Sequence, residues 1–155
     1  MSAASRNTEV RLPAEILALG SLDRSEWAWR LSDVQTAIAA AREHNLATLG
    51  GQVQFRCPGG TYELYWLNAD SSPRHDHESW PDFVSRTAEE VVRGFRTIFQ
   101  PGVIEEGVRG WPALEAEGAS GVDLNSHLWF VLYFVTEAEH ATLESPRDVR
   151  QPPPQ

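Results

Sequence analysis

Asn45-Leu-Ala-Thr-Leu-Gly-Gly-Gln-Val-Gln-Phe55, followed by Cys57-Pro-Gly-Gly60 and Thr61-Tyr-Glu-Leu-Tyr-Trp-Leu-Asn68, decides the fold. Two runs rich in aromatic and β-branched residues flank a Pro-Gly-Gly turn, which is the pattern of an antiparallel hairpin. In the second run Tyr62, Leu64 and Trp66 alternate with Thr61, Glu63, Tyr65 and Leu67, so Trp66 is expected in the core, as is Trp129 in a later apolar run. The pair Gly50-Gly51 invites a phosphate-loop reading, but its polarity is wrong. A phosphate loop leads from strand through glycines into a helix, whose N–H groups face the anion. Here a helical pattern precedes the glycines and a strand follows, so the nearest helix end offers carbonyl oxygens. The glycines are expected at a corner or bulge that needs positive φ or close backbone approach.

Outward from this hairpin, Ser32-Asp-Val-Gln35 has capping-box spacing, and Val34, Ala37, Ile38 and Ala41 keep a helical period to about His44. Upstream, residues 11–20 read as a short helix with Pro13 in its first turn, and 26–30 as a short strand. Downstream, 68–81 is polar and turn-rich, an exposed loop. Thr87-Ala-Glu-Glu90 is a second capping box, predicted to open a helix with the stripe Ala88, Val91, Val92, Phe95, Ile98 and Phe99, stopping before Pro101-Gly102. Between 102 and 126 a short strand is expected near Val103-Ile104, and a turn of helix around 113–117. The apolar run 127–136 reads as a central strand, with a short helix at 137–143. These elements predict an α+β fold: a single domain over 1–144, with two main helices on one face of a mainly antiparallel sheet. The Pro-rich stretch 145–155 is expected to be disordered.

At 155 residues and 41% hydrophobic composition, the chain has enough apolar content for one core. No apolar run approaches the roughly 20 residues of a membrane span, and the first residues lack a signal-peptide core. With Cys57 as the single cysteine, no internal disulfide forms, and a cytoplasmic location is expected. All 13 basic residues are arginine, and the net charge is −9. The excess is uneven: residues 101–145 carry eight acidic groups against one basic. Such a field repels nucleic acid and attracts basic proteins, so neither nucleic acid nor membrane is an expected partner.

His75-Asp-His-Glu78 places two imidazoles and carboxylates close together, a starting set for a metal site. A metal-dependent or otherwise unfamiliar small enzyme using His75, His77 and Glu78 is therefore the alternative function. The set sits in an expected loop, and no third ligand stands at diagnostic spacing, so no metal or cofactor is expected. Cys57 lacks the surroundings of a nucleophile, and no Gly-x-Ser-x-Gly, His-Glu-x-x-His or Walker pattern occurs, so no catalytic residue is assigned. Trp80 and Trp111, in acidic loop-like surroundings, fit either a staple or an exposed interface anchor.

The run Glu26-Trp-Ala-Trp29, the helix after it, Leu49-Gly-Gly-Gln-Val53 and the hairpin into Tyr62-Glu-Leu-Tyr-Trp66 resemble a group of bacterial polymorphic-toxin immunity proteins, the immunity protein 40 family. The resemblance covers about residues 25–68 and departs at Gln52, where the family pattern has Asp. It implies a protein that binds and neutralises a cognate toxin, without catalysis of its own. An acidic domain suits a basic toxin such as a nuclease. The contact is then expected among Asp70, Asp76, Glu78, Trp80 and Asp82, and at Glu105 and Glu106.

Overall fold

The computed structural model describes residues 11–144; the stretch 145–155, expected to be disordered, lies outside the described residues. In chain order the elements are α1 (Ala14–Leu19), β1 (Gly20–Asp23), β2 (Glu26–Trp29), α2 (Val34–Glu43), β3 (Ala47–Cys57) and β4 (Gly60–Asp70). Then follow α3 (Trp80–Ile98), α4 (Val103–Arg109), α5 (Pro112–Ala119), β5 (Leu128–Val135) and α6 (Glu137–Leu143). The five strands form one sheet in the order β1-β2-β5-β3-β4, and every neighbouring pair is antiparallel. The fold is α+β, as the periodicities predict.

The hairpin forms where expected, with Cys57 opposite Gly60, so Pro58 and Gly59 make the turn. The helix-to-strand corner is at Asn45, not at the glycines. Asn45 has φ 61°, and the N–H of Leu46 donates to the Ala41 carbonyl at 2.9 Å, which closes the end of α2. Gly50 and Gly51 lie inside β3, where close approach is their requirement. A Cβ on Gly51 would press on the Phe130 ring and the Val131 carbonyl oxygen.

Strand β5 lies in the middle of the sheet because both its faces are used. Leu128, Phe130, Leu132 and Phe134 join the main core under the helices, where Phe130 meets Phe95 edge-on at 5.1 Å between ring centroids. Trp129, Val131 and Tyr133 project to the other face, so Trp129 is half-buried outside that core, contrary to expectation. Trp66 departs further. The β3–β4 register slips between Gln52 and Val53, which breaks the alternation beyond Leu64, and Trp66 is 43% exposed.

Helix α3 starts seven residues before the expected Thr87. Ser79 caps it, its hydroxyl accepting from the Asp82 N–H at 3.2 Å, and Pro81 lies in the first turn. Thr87 is fully buried in mid-helix; its hydroxyl accepts from the Thr48 N–H at 3.1 Å, beside a second register shift in β3. At α2 the expected capping box is also absent: a 3-10 turn over Leu31–Asp33 leads in, and no side chain caps the helix. Val103 and Ile104 open a helix rather than a strand, because α4 can lie flush on β4. Its Gly107 meets Leu67 and Leu64 where any Cβ would clash.

Candidate functional site

The sheet face away from the helices carries a hydrogen-bonded polar network that links four strands. Gln54 of β3 is 2% exposed, and its amide nitrogen donates to Glu26 of β2 at 3.3 Å and to Glu63 of β4 at 3.2 Å. The Tyr133 hydroxyl of β5 donates to the other Glu26 oxygen at 2.7 Å. Arg56 closes the arrangement from β3: Nε donates to the Gln54 carbonyl oxygen at 2.6 Å, and its terminal nitrogens reach the backbone oxygens of Ser21 and Glu26, both at 3.0 Å. Thr61 on the far edge strand donates to Asp23 at 3.3 Å, so the β1–β2 hairpin curls over this face of the sheet. Arg30 stacks on Trp129 with its guanidinium carbon 3.9 Å from the ring centroid.

The charges in this network are tuned by their surroundings. Burial pushes the Glu63 carboxyl up, and its hydrogen bond to Glu26 together with that group's negative charge pushes it further. Burial also raises the Tyr133 phenol, reinforced by Glu26, so it remains a neutral donor. The Arg56 guanidinium is lowered by burial, against which Asp23 and Glu26 act. Its donors are all directed at hairpin and strand oxygens, and this makes the network a clamp that holds β1 and β2 in place. No local motif announces it: Glu26 and Tyr133 are 107 residues apart in sequence.

The 71–79 segment is pinned in a different way. Arg86 of α3 forms ion pairs with Glu78 at 2.8 Å and Glu90 at 3.0 Å, and donates to the Pro73 carbonyl at 2.9 Å. Glu78 also accepts from the His75 N–H at 2.9 Å. Glu78 is therefore committed to organising the loop. His75 and His77 are exposed, and among the described residues no group of three or more His, Cys, Asp and Glu is placed to hold a metal ion. Trp80 is 4% exposed, packed with Phe83, Val84 and Val135, and its indole N–H donates to the Asn45 carbonyl at 2.9 Å. Trp80 is thus a core residue, and the interface role expected for it does not hold.

The hydrogen bonds from Arg86, chief among several causes, hold the Glu78 carboxyl at about 2 against an ordinary 4.5. Folding therefore favours the ionised form, so this contribution is complete above about pH 4.5 and is lost as pH falls toward 2. Glu78→Gln is expected to lower the thermal midpoint at neutral pH, and the difference from the parent protein is expected to close as pH approaches 2. A gap that persists unchanged across a melting series in acid would show that the ion pair is not its source.

The remaining expected contact residues are on the surface. Asp76 and Asp82 are exposed beside the pinned loop, Asp70 is exposed at the end of β4, and Glu105 and Glu106 are exposed in the first turn of α4. Trp111 is half-buried; its indole N–H donates to the Glu63 carbonyl at 3.0 Å and its ring meets Tyr62 edge-on at 5.5 Å, so it is the staple. Burial and the nearby Glu117 push the Cys57 thiol up to about 11, which keeps it from the thiolate form that a nucleophile needs.

An exposed aromatic pair on β4 includes Trp66, which was expected in the core. Tyr65, 62% exposed, and Trp66, 43% exposed, meet edge-on at 5.1 Å on the outer strand β4. Trp66 rests against Gly110, at the end of the helix that bears Glu105 and Glu106. Asp70 lies on the same strand. An aromatic pair is thus presented on an edge strand that also carries Asp70 and lies against the helix bearing Glu105 and Glu106, a combination suited to a protein partner of positive charge. Among the described residues no helix is long and apolar enough to cross a membrane. No protein-family model, no curated protein and no solved structure matches the chain.

Proposed function

We propose that this chain is an immunity protein, which binds a cognate bacterial toxin in the cytoplasm and neutralises it through a protein–protein contact, with no catalysis of its own. The observation that carries the reading is the exposed Tyr65-Trp66 pair on β4, the strand that bears Asp70 and supports the helix with Glu105 and Glu106. Large aromatic side chains anchor interfaces, and a surrounding negative field accelerates encounter with a basic partner and sets its orientation. The strand belongs to the segment, about residues 25–68, that resembles the immunity protein 40 family. Asp76 and Asp82 add charge nearby in sequence; Glu78 and Trp80 are left out, because one is engaged by Arg86 and the other is buried.

Growth rescue tests the reading. The product of the adjacent upstream reading frame is expressed in a sensitive bacterium with and without this chain. Toxicity relieved by co-expression is the expected result, and a toxic neighbour whose effect is unchanged would overturn the pairing. With the complex in hand, Trp66→Ala is expected to weaken it about thirtyfold, the loss typical of a hot-spot tryptophan. The same substitution is expected to leave the melting temperature within a few degrees, since the side chain is already 43% exposed.

A further inference from the structure

Between α4, α5 and the 3-10 turn before β5 there is a groove of about 310 Å³. Fully buried Phe55 forms its floor, and the half-buried Ile104, Val108 and Leu124 give it apolar walls. Its rim is exposed and charged: Glu105 from α4 and Glu115 from α5, with Arg109 as the one cation. The Glu105 and Glu115 carboxylates have no hydrogen-bond or ion-pair partner among the described residues. By contrast, Glu26, Glu63, Glu78 and Glu90 are all engaged.

An open apolar groove lined by two free carboxylates against the single cation Arg109 is complementary to one kind of side chain. It needs an apolar stem long enough to cover the walls, and a head that is cationic and can donate to two acceptors at once. Arginine has both: its methylenes lie along apolar surface while the planar guanidinium forks toward carboxylates. The field agrees, since residues 101–145 carry eight acidic groups against one basic. We infer that this groove receives an arginine side chain from the partner protein, stem against Ile104, Val108 and Leu124, guanidinium between Glu105 and Glu115. The inference rests on the toxin-binding reading and names the anchor by which the partner is held.

The test uses the full chain, isotope-labelled, titrated with Nα-acetyl-arginine amide and followed by the backbone amide resonances. Saturable shifts at Ile104, Glu105, Val108 and Leu124 are expected, weakened about tenfold or more in Glu105→Gln/Glu115→Gln, because hydrogen bonds to charged groups are lost. The uncharged analogue that keeps only an apolar stem, Nα-acetyl-norleucine amide, is expected to produce much smaller shifts. Absence of groove shifts with the arginine probe, or equal shifts with norleucine, would overturn the assignment. The readout needs no toxin, so the two readings fail separately. If rescue succeeds and Glu105→Arg/Glu115→Arg binds the toxin as tightly as the parent chain, the groove assignment is wrong while the immunity reading stands. If the probe saturates the groove and the neighbour's toxicity is untouched, the pairing is wrong while the groove remains an arginine site.

Discussion

Trp29→Ala is expected to destabilise the protein by about 3–5 kcal/mol, the cost typical of deleting a large buried aromatic side chain. Trp29 is fully buried; its ring stacks near Trp27 with centroids 6.1 Å apart and meets Phe134 edge-on at 6.0 Å. Its indole N–H donates to the Ile16 carbonyl at 3.0 Å, so the one side chain ties α1, β2 and β5 together. For a chain of this size the loss corresponds to a fall in midpoint on the order of 10 °C. Trp29→Phe separates the contributions. It keeps most of the ring volume but leaves the Ile16 carbonyl without its donor, and about 1–3 kcal/mol is expected for that alone. Denaturant titration of both variants checks the ordering, and equal losses would mean that the hydrogen bond, not the packing, dominates.

Gly51→Ala is expected to cost about 3 kcal/mol, the upper part of the range for overfilling a packed site. An added Cβ meets the Phe130 ring on one side and the Val131 carbonyl oxygen on the other. A ring can swing away, but a backbone oxygen in the central strand cannot move without disturbing the β3–β5 pairing. Phe130→Leu is therefore expected to recover only part of the Gly51→Ala loss, with the coupling measured by a double-mutant cycle. Full recovery would locate the whole conflict in the ring, and an unchanged midpoint for Gly51→Ala alone would mean the strands are not packed this closely.

The hairpin, the middle strand and the order of the main helices were legible, because each rests on local rules: turn chemistry at Pro58-Gly59, unbroken apolarity over Leu128–Val135, and a helical stripe through Val91 and Phe95. The start of α3 was misplaced because two local signatures competed. Ser79-Trp-Pro-Asp82 caps the helix, whereas Thr87-Ala-Glu-Glu90 has the same appearance but its threonine is drawn into the core by Thr48. Trp66 was misread because a register slip inverts which face a residue takes, and nothing in the spacing of Tyr62, Leu64 and Trp66 marks the slip. Charge placed Asp70, Glu105 and Glu106 correctly on the surface, while Trp80 and Glu78 went elsewhere through contacts with Asn45 and Arg86. The network of Glu26, Gln54, Glu63 and Tyr133 has no sequence signature at all, since it exists only once four strands are aligned.

The last strand among the described residues occupies the middle of the sheet, with β2 on one side and β3 on the other. During synthesis, then, the β1–β2 and β3–β4 hairpins emerge from the ribosome as two separate ribbons, and only the arrival of Leu128–Val135 joins them by strand pairing. Pairings of such high sequence separation form slowly, because the loop entropy is lost before the contacts are gained. Until then the apolar edges of both ribbons stay open to misassociation, and a prematurely terminated chain ending before Leu128 is left with two incomplete halves. Completion of the sheet therefore waits for Leu128–Val135, which is translated after the other four strands it must join.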